Sequence, residues 1–382
     1  MSEWKKVKLG EICERVTSGG TPKANVSSYY NPPTIPWLKT KEVNYCRITE
    51  TENYISEEGL KNSSAKLISP NSVIIAMYGQ GDTAGRIAIN KIPLATNQAC
   101  CNLTIDKSKA DYEFIYYQLC TLYDKLVSLK AGAAQPNLNA RIIKNLEIIM
   151  PSLPIQHRIA SILSRYDSLI ENYQKQIKLL GEAAQRLYKE WFIDLHFPGH
   201  ENTNIIDGVP EGWEKKKVGD ITPIITGKKD ANFGTPDGEY PFFTCSQEPI
   251  KAPSFSFDCA AVLLAGNGDF NVKLYRGRFE AYQRTYVLSP YIDSHLYLLF
   301  YTISANMTKL AAGSSGSTIK FLTKGMIDGI NLNVPNDEIL ESFNKKVEPI
   351  QSSRESLQSQ LRLLTEARDR LLPKLMSGEI TI

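Results

Sequence analysis

The chain repeats itself, and that constrains its fold more than any other feature. Trp4-Lys-Lys-Val-Lys-Leu-Gly10-Glu11-Ile12 returns 209 residues later as Trp213-Glu-Lys-Lys-Lys-Val-Gly219-Asp220-Ile221. The apolar run Val73 to Ala76, with Gly79-Gln80-Gly81-Asp82 after it, matches Val262 to Ala265 and Gly266-Asn267-Gly268-Asp269. Asn97-Gln98 matches Tyr282-Gln283, and Ala131-Gly132-Ala133-Ala134 matches Ala312-Gly313-Ser314-Ser315. The segment from Pro151 to Leu187 then meets its copy, Pro335 to Leu371, without a gap at a shift of 184 residues. Landmarks repeated in a fixed order imply two copies of one structural unit. The shrinking shift means that the second copy is shorter between its landmarks.

The ungapped parts are helical by period. Apolar residues fall at Ile155, Ile159, Ile162, Tyr166, Leu169, Tyr173, Ile177, Leu180, Leu187 and Trp191. The second copy has Phe343, Val347, Ile350, Leu357, Leu361, Leu364, Leu371 and Leu375. Steps of three and four give a coiled-coil-like seam, with a stutter in the first copy. Ser152 is a fitting N-cap for the first helix, and Asn336 or Asp337 for the second. Pro349 is expected to kink or break the second helix, because it lacks the donor that a helix interior needs. A helix of about 40 residues spans roughly 60 Å, too long for one module to bury. The two are therefore expected to pair antiparallel, with Tyr173, Ile177 and Leu180 facing Leu357, Leu361 and Leu364. Arg186, Lys189, Arg368 and Arg370 would lie on outer faces.

Between the helices the chain reads as short strands. Ser72 to Met77 and Ala261 to Ala265 are apolar runs bounded by Gly, Asn and Pro. A dinucleotide loop would need a helix after the glycines. Arg86 to Ile89 and Lys273 to Tyr275 look extended instead, so strand, glycine turn, strand is expected. The fold class is thus α+β: two pseudo-symmetric β-rich domains joined by two long antiparallel coiled-coil-like helices. The expected limits are 1–150 for the first domain and 151–197 for the first helix. Residues 198–335 form the second domain with its linker, and 336–382 the second helix and tail.

Several function classes fall away. With 382 residues, 42% apolar and 22% charged, the composition is that of an ordinary globular protein of two or three domains. No apolar run approaches a membrane span, and Glu3-Trp4-Lys5-Lys6 does not resemble a signal peptide. Seven cysteines without a C-x-x-C pair fit a reduced, cytoplasmic chain without structural zinc. His196 and His200 are separated by Pro198 and Gly199, which prevents a shared helix face and suggests a surface turn. Asn31-Pro32-Pro33 begins like the Asn-Pro-Pro-aromatic loop of DNA amino-methyltransferases, but Thr34 stands where the stacking aromatic belongs. Only thirty residues precede it, too few for a donor-binding βαβ unit of ~30 residues and its flanks. A turn leading into an extended segment is expected there. No Ser/His/Asp set, metal cluster or acid–base pair is evident, and no cofactor is expected. A scaffold of β modules on a helical rod is the competing class. It would need no nucleic acid.

The order and duplication of these parts resemble the specificity subunit of type I restriction–modification systems over nearly the full length. The stretches that carry the resemblance are SGGTP at 18–22, IPWLKTKEV at 35–43, GAAQPNLN at 132–139, PSLPIQHRIASIL at 151–163 and LLPKLMSGEI at 371–380. The second copy departs at Ser317-Thr318-Ile319, where the first has Pro136-Asn137-Leu138. The resemblance implies a subunit without catalysis of its own. Each module would be a target-recognition domain reading half of a split site in double-stranded DNA. The helices would set the separation and dock two methyltransferase subunits, with restriction and translocase subunits joining through the complex.

Side chains with groove-reading chemistry are available for this. Gln and Asn can bond adenine bidentately, and Arg or Lys guanine. The candidates in the first module are Lys39, Lys41, Gln80, Arg86, Gln98, Gln135 and Asn137. In the second they are Lys228, Lys229, Asn267, Lys273, Arg276, Gln283, Arg284 and Lys320. All are placed on expected loops, where each alone could equally be a solvated side chain or a turn amide.

Overall fold

The computed structural model describes residues 4–131, 137–314 and 320–382. Its repeated stretches fold alike. Lys5–Lys8 pairs antiparallel with Glu147–Met150, and Glu214–Lys217 with Asn331–Val334. Both pairs continue into a helical turn tied back by the same bond, Leu9 N–H to Leu146 O and Val218 N–H to Ile330 O, each 2.9 Å. The chain divides into two compact units, Met1–Asn172 with Gln360–Ile382, and Tyr173–Ser359.

The first unit is built on a sheet in which Cys100–Ile105 lies between Cys13–Ser18 and Val73–Ala76. Val73–Ala76 forms a hairpin with Ile87–Asn90, and Cys46–Ile48 adds in parallel at the edge. A second small sheet pairs Ile35–Leu38 with Leu94–Thr96 in parallel and with Tyr54–Ile55 antiparallel. Every residue of Val73–Ala76 and Ile87–Asn90 is buried, because the sheet is covered on both faces and so reads as a continuous apolar run. One face packs on Phe114, Ile115 and Leu119 of the helix Tyr112–Cys120, the other on Leu38, Val43 and Leu94.

The second unit has the same plan. Phe257–Ala265 lies between Thr285–Leu288 and the long strand Val272–Ala281, and Ile224–Thr226 pairs with Thr285–Leu288. Tyr240–Phe243 runs parallel to the end of Val272–Ala281 and antiparallel to Ile250–Ala252. One long strand thus does the work of two in the first unit, while the second copy is shorter mainly before Val262, where the shift falls from 209 at Ile221 to 189.

The long helices are Leu153–Tyr188, prolonged by a π turn over Lys189–Ile193, and Asp337–Ser377. Asn336 caps the second, its Oδ1 accepting from Ile339 N–H at 3.0 Å. Pro349 does not end this helix, which runs unbroken for 41 residues. The helix there is stabilised by side chains on both sides of the proline, since Phe343 and Val347 are fully buried and Ile350 packs against the same core. One missing donor does not outweigh that burial.

Each core contains parts of both helices. In the first unit Ile159 and Leu163 share a core with Leu375 and Met376. In the second, Ala184, Tyr188 and Trp191 share one with Leu340, Phe343 and Val347. The antiparallel seam is therefore present in both units. Tyr173, Ile177, Leu180, Leu357, Leu361 and Leu364 are each half-buried.

The polar contacts that tie helices to modules differ. In the first unit Arg47 donates to Glu113 at 2.6 Å, to Asp167 at 2.9 Å and to the Tyr117 hydroxyl at 2.9 Å. Tyr117 donates to Asp167 at 2.5 Å, and Arg368 of the second helix donates to the other Asp167 oxygen at 2.9 Å. Burial works against the Arg47 charge, but Tyr117 and Glu113 reverse this and hold its pKa above the ordinary value. Arg368 is therefore not on an outer face, whereas Arg186, Lys189 and Arg370 are exposed. In the second unit Tyr301 stands in the place of Tyr117 and Gln351 in that of Asp167, with Gln351 donating to the Tyr301 hydroxyl at 2.5 Å.

Candidate nucleic-acid interface

The strand pairings bring three connections of the first module to one end of its sheet: the one after Ser18, the turn from Ala76 to Ile87 and the one before Cys100. Ser18, Ala76, Ile87 and Cys100 all lie there in register. The backbone then laces the loops together. Gly20 N–H donates to Thr96 O, Asn97 N–H to Leu38 O, Met77 N–H to Ala99 O and Leu138 N–H to Met77 O. Lys39, Lys41, Gln80, Arg86, Gln98 and Asn137 all sit on or beside these loops.

Most of them have partners. Lys39 donates to Asn53 at 2.9 Å and lies 5.0 Å from the Trp37 ring. Lys41 is fully exposed and ion-paired with Glu52, whose hydrogen bond raises its pKa. Arg86 holds Asp82 at 2.7 Å across the glycine turn, and that bond lowers the Asp82 pKa. Gln98 is exposed and bonded to Thr21. Gln80 and Asn137 are exposed. Gln135 lies outside the described residues.

The second module repeats this lacing almost bond for bond. Tyr282 N–H donates to Phe243 O at 3.0 Å, Gly266 N–H to Arg284 O at 2.8 Å and Leu322 N–H to Gly266 O at 2.8 Å. Gly19 and Gly227 are equivalent too. A Cβ on Gly19 would overlap the carbonyls of Thr96 and Asn97, and one on Gly227 those of Ala281 and Tyr282. Lys228, Lys229, Asn267, Lys273, Gln283, Arg284 and Lys320 belong to this end. Gln283 donates to Asp230 at 2.6 Å, and Lys229 lies 4.3 Å from the Phe233 ring. Lys273 is half-buried and donates to Ser246 O at 2.7 Å, its pKa lowered by burial.

Arg276, placed on a loop, proves to be a strand residue, because the strand that holds Lys273 begins at Val272 and continues to Ala281. Lys273 stays near the loops. Arg276 does not, lying three residues further along the strand. It is 5.1 Å from the Tyr297 ring and 3.4 Å from Glu348. Lys91 in the first module sits the same way over Tyr112, at 5.0 Å. These two cations fasten sheet to helix, away from the loop end.

One residue of this end escaped the sequence reading. Tyr45 is an exposed aromatic held at φ +53°, edge-on to Tyr123 with centroids 6.3 Å apart. A positive φ at a bulky non-glycine residue costs on the order of 1–3 kcal/mol and persists only where its surroundings impose it. Burial raises its pKa to about 12. Nothing in the bare sequence marks it, because a backbone angle leaves no trace in residue type other than glycine.

The family model described as the type I restriction modification DNA specificity domain matches residues 1–180 and 210–357, that is, both modules, most of the first long helix and about half of the second. The chain belongs to that family. Its relatives include the type I restriction enzyme MjaIX specificity subunit of Methanocaldococcus jannaschii, 27% identical over all of this chain and 94% of that one. The EcoDI specificity subunit of Escherichia coli is 36% identical over 45% of this chain and 40% of its own length. The crystal structure of a type I restriction–modification S subunit from M. genitalium has the same fold, with a TM-score of 0.68 at 17% identity, covering 98% of this chain and 96% of that one. For a chain of this family the laced loop ends, repeated in both modules, are the candidate DNA-reading surfaces.

Proposed function

We propose that this chain is the DNA-reading subunit of a type I restriction–modification complex, in which each module reads one half of a bipartite site. It carries no chemistry itself and directs methyltransferase and restriction subunits to that site. The observation that carries this reading is the repetition of one loop end, with equivalent backbone bonds and with amides and cations at matching places. Amides and guanidinium groups can bond base edges in the major groove, while lysines neutralise phosphates. Two pseudo-equivalent helix copies offer two similar faces, which supports docking of two methyltransferase subunits.

The test exchanges residues 212–334 for the second module of another family member, in the complex with its methyltransferase subunits. Sequencing of methylated DNA should show one half of the motif changed and the other retained. A change in both halves, or in neither, would overturn the reading. Weighed intact, the complex should hold two methyltransferase subunits per chain. Its DNA affinity should fall steeply with salt as phosphate contacts release counterions, whereas a scaffold would show no such dependence.

A further inference from the structure

Gln283 is an exposed amide of the second loop end whose orientation is fixed by charge. Its backbone N–H donates to Lys229 O at 2.9 Å, and the turn is closed by Thr285 N–H donating to Tyr282 O at 2.8 Å. Its side-chain nitrogen donates to Asp230 Oδ1 at 2.6 Å. An ionised carboxylate can only accept, so the amide must present nitrogen to Asp230 and cannot be turned round. The carbonyl Oε1 and the second N–H have no other partner among the described residues. That pair, one acceptor beside one donor, matches the N6 amino group and N7 of adenine. Gln98 is the equivalent residue of the first module, but its side chain is bonded to the Thr21 hydroxyl. A hydroxyl both donates and accepts, so it would serve either orientation of the amide.

We propose that Asp230 is a positioning residue that locks Gln283 in the orientation that selects adenine in the half-site of the second module. This rests on the reading above, that each module reads one half. Thr21 imposes no such lock on Gln98, so the two equivalent glutamines differ in stringency although they are the same residue. A carboxylate near DNA also repels phosphate, so removing it raises affinity for every sequence alike. Base preference, rather than affinity, is therefore the readout that separates the lock from simple charge.

The experiment uses the full chain in its complex and sequences the methylated motif of the wild type and of Asp230→Asn, Asp230→Glu and Gln283→Ala. Asp230→Asn allows the amide to turn, so discrimination for adenine at one position of the second half should fall by roughly tenfold. Asp230→Glu should preserve the preference, and Gln283→Ala should lose it. The first half serves as the internal control for folding and should be unchanged in all three. An unchanged second half in both Asp230→Asn and Gln283→Ala would overturn the proposal, as would a preferred base other than adenine at the position that responds. If the two halves do not respond separately to module exchange, the parent reading fails, and this proposal fails with it.

Discussion

The two units share strand order, loop lacing and helix packing, yet they are fastened to the helices by different chemistry. The first uses charge: Arg47, Glu113, Asp167 and Arg368 form one mostly buried cluster around Tyr117. Around the matching tyrosine the second uses aromatic groups and an amide, with Arg354 bonded to that amide and the Arg276–Glu348 pair lying apart from it at the surface. Tyr188 stacks on Phe192 and Tyr301, Phe343 meets Phe192 edge-on at 4.8 Å, and Gln351 bonds Tyr301. Both solutions satisfy a tyrosine hydroxyl at the same place. What the fold requires there is a partner for that hydroxyl, and the sign of the partner's charge is free to vary. The charged version carries the larger penalty when broken, because an orphaned buried ion costs more than an orphaned amide.

That difference can be broken most sharply at Arg47. Removing one partner of a buried ion pair costs about 3–5 kcal/mol. Arg47→Ala should fall at the low end, because Asp167 keeps Arg368 and Glu113 keeps Lys91. Urea unfolding should show the loss, and hydrogen exchange should place it in Tyr112–Cys120 rather than in Leu296–Gly313. The matching change in the second unit, Gln351→Ala, should cost less, about 1–3 kcal/mol, since only neutral bonds and the Arg354 contact are lost. A larger loss at Gln351 than at Arg47 would reverse the comparison.

The glycines test what the units have in common. Gly19→Ala and Gly227→Ala each force a methyl group into backbone carbonyls, and overpacking costs about 1–3 kcal/mol. Similar losses are expected in the two units by thermal melting. A cost confined to one would show that the lacing is not equivalent.

The smallest effect is an acid response of the second unit. Burial, and then nearby Lys216, lower the pKa of His295, with Asp337 opposing them. The unfolded chain therefore takes up the proton first as pH falls below about 6.5, and stability declines from there downwards. Replacing His295 with Gln should flatten the pH dependence of unfolding between pH 7 and 5. An unaltered slope would assign the acid response to other groups.

Much of this architecture is legible in the sequence, because duplication, the helix period and the glycine turns are local signals. Trp4 and Trp213, or Gln98 and Gln283, announce their equivalence by residue type alone. The charged cluster is not legible, since Arg47 meets Asp167 across 120 residues and Arg368 meets it across 201. Nor is the role of Arg276, whose partners Tyr297 and Glu348 come from two different helices. The small sheet of the first module also escaped, because strands such as Tyr54–Ile55 and Leu67–Ile68 are two residues long and show no period. The second helix continues through Pro349 for a reason that only packing supplies.

The first unit is completed by residues that a ribosome makes long after the rest of that unit. Leu375 and Met376 fill its core, and Arg368 reaches Asp167 from 201 residues further along the chain. At ~5–20 residues per second, that segment emerges roughly 10–40 s after Asp167. Until then the nascent first module has an open apolar flank and a carboxylate lacking one of its cations. The second unit waits for no such arrival, since its helix segments enclose it in sequence. Of the two units, the one whose module is synthesised earlier is thus the one that closes later, and its flank is exposed to chaperones and to neighbouring nascent chains throughout that interval.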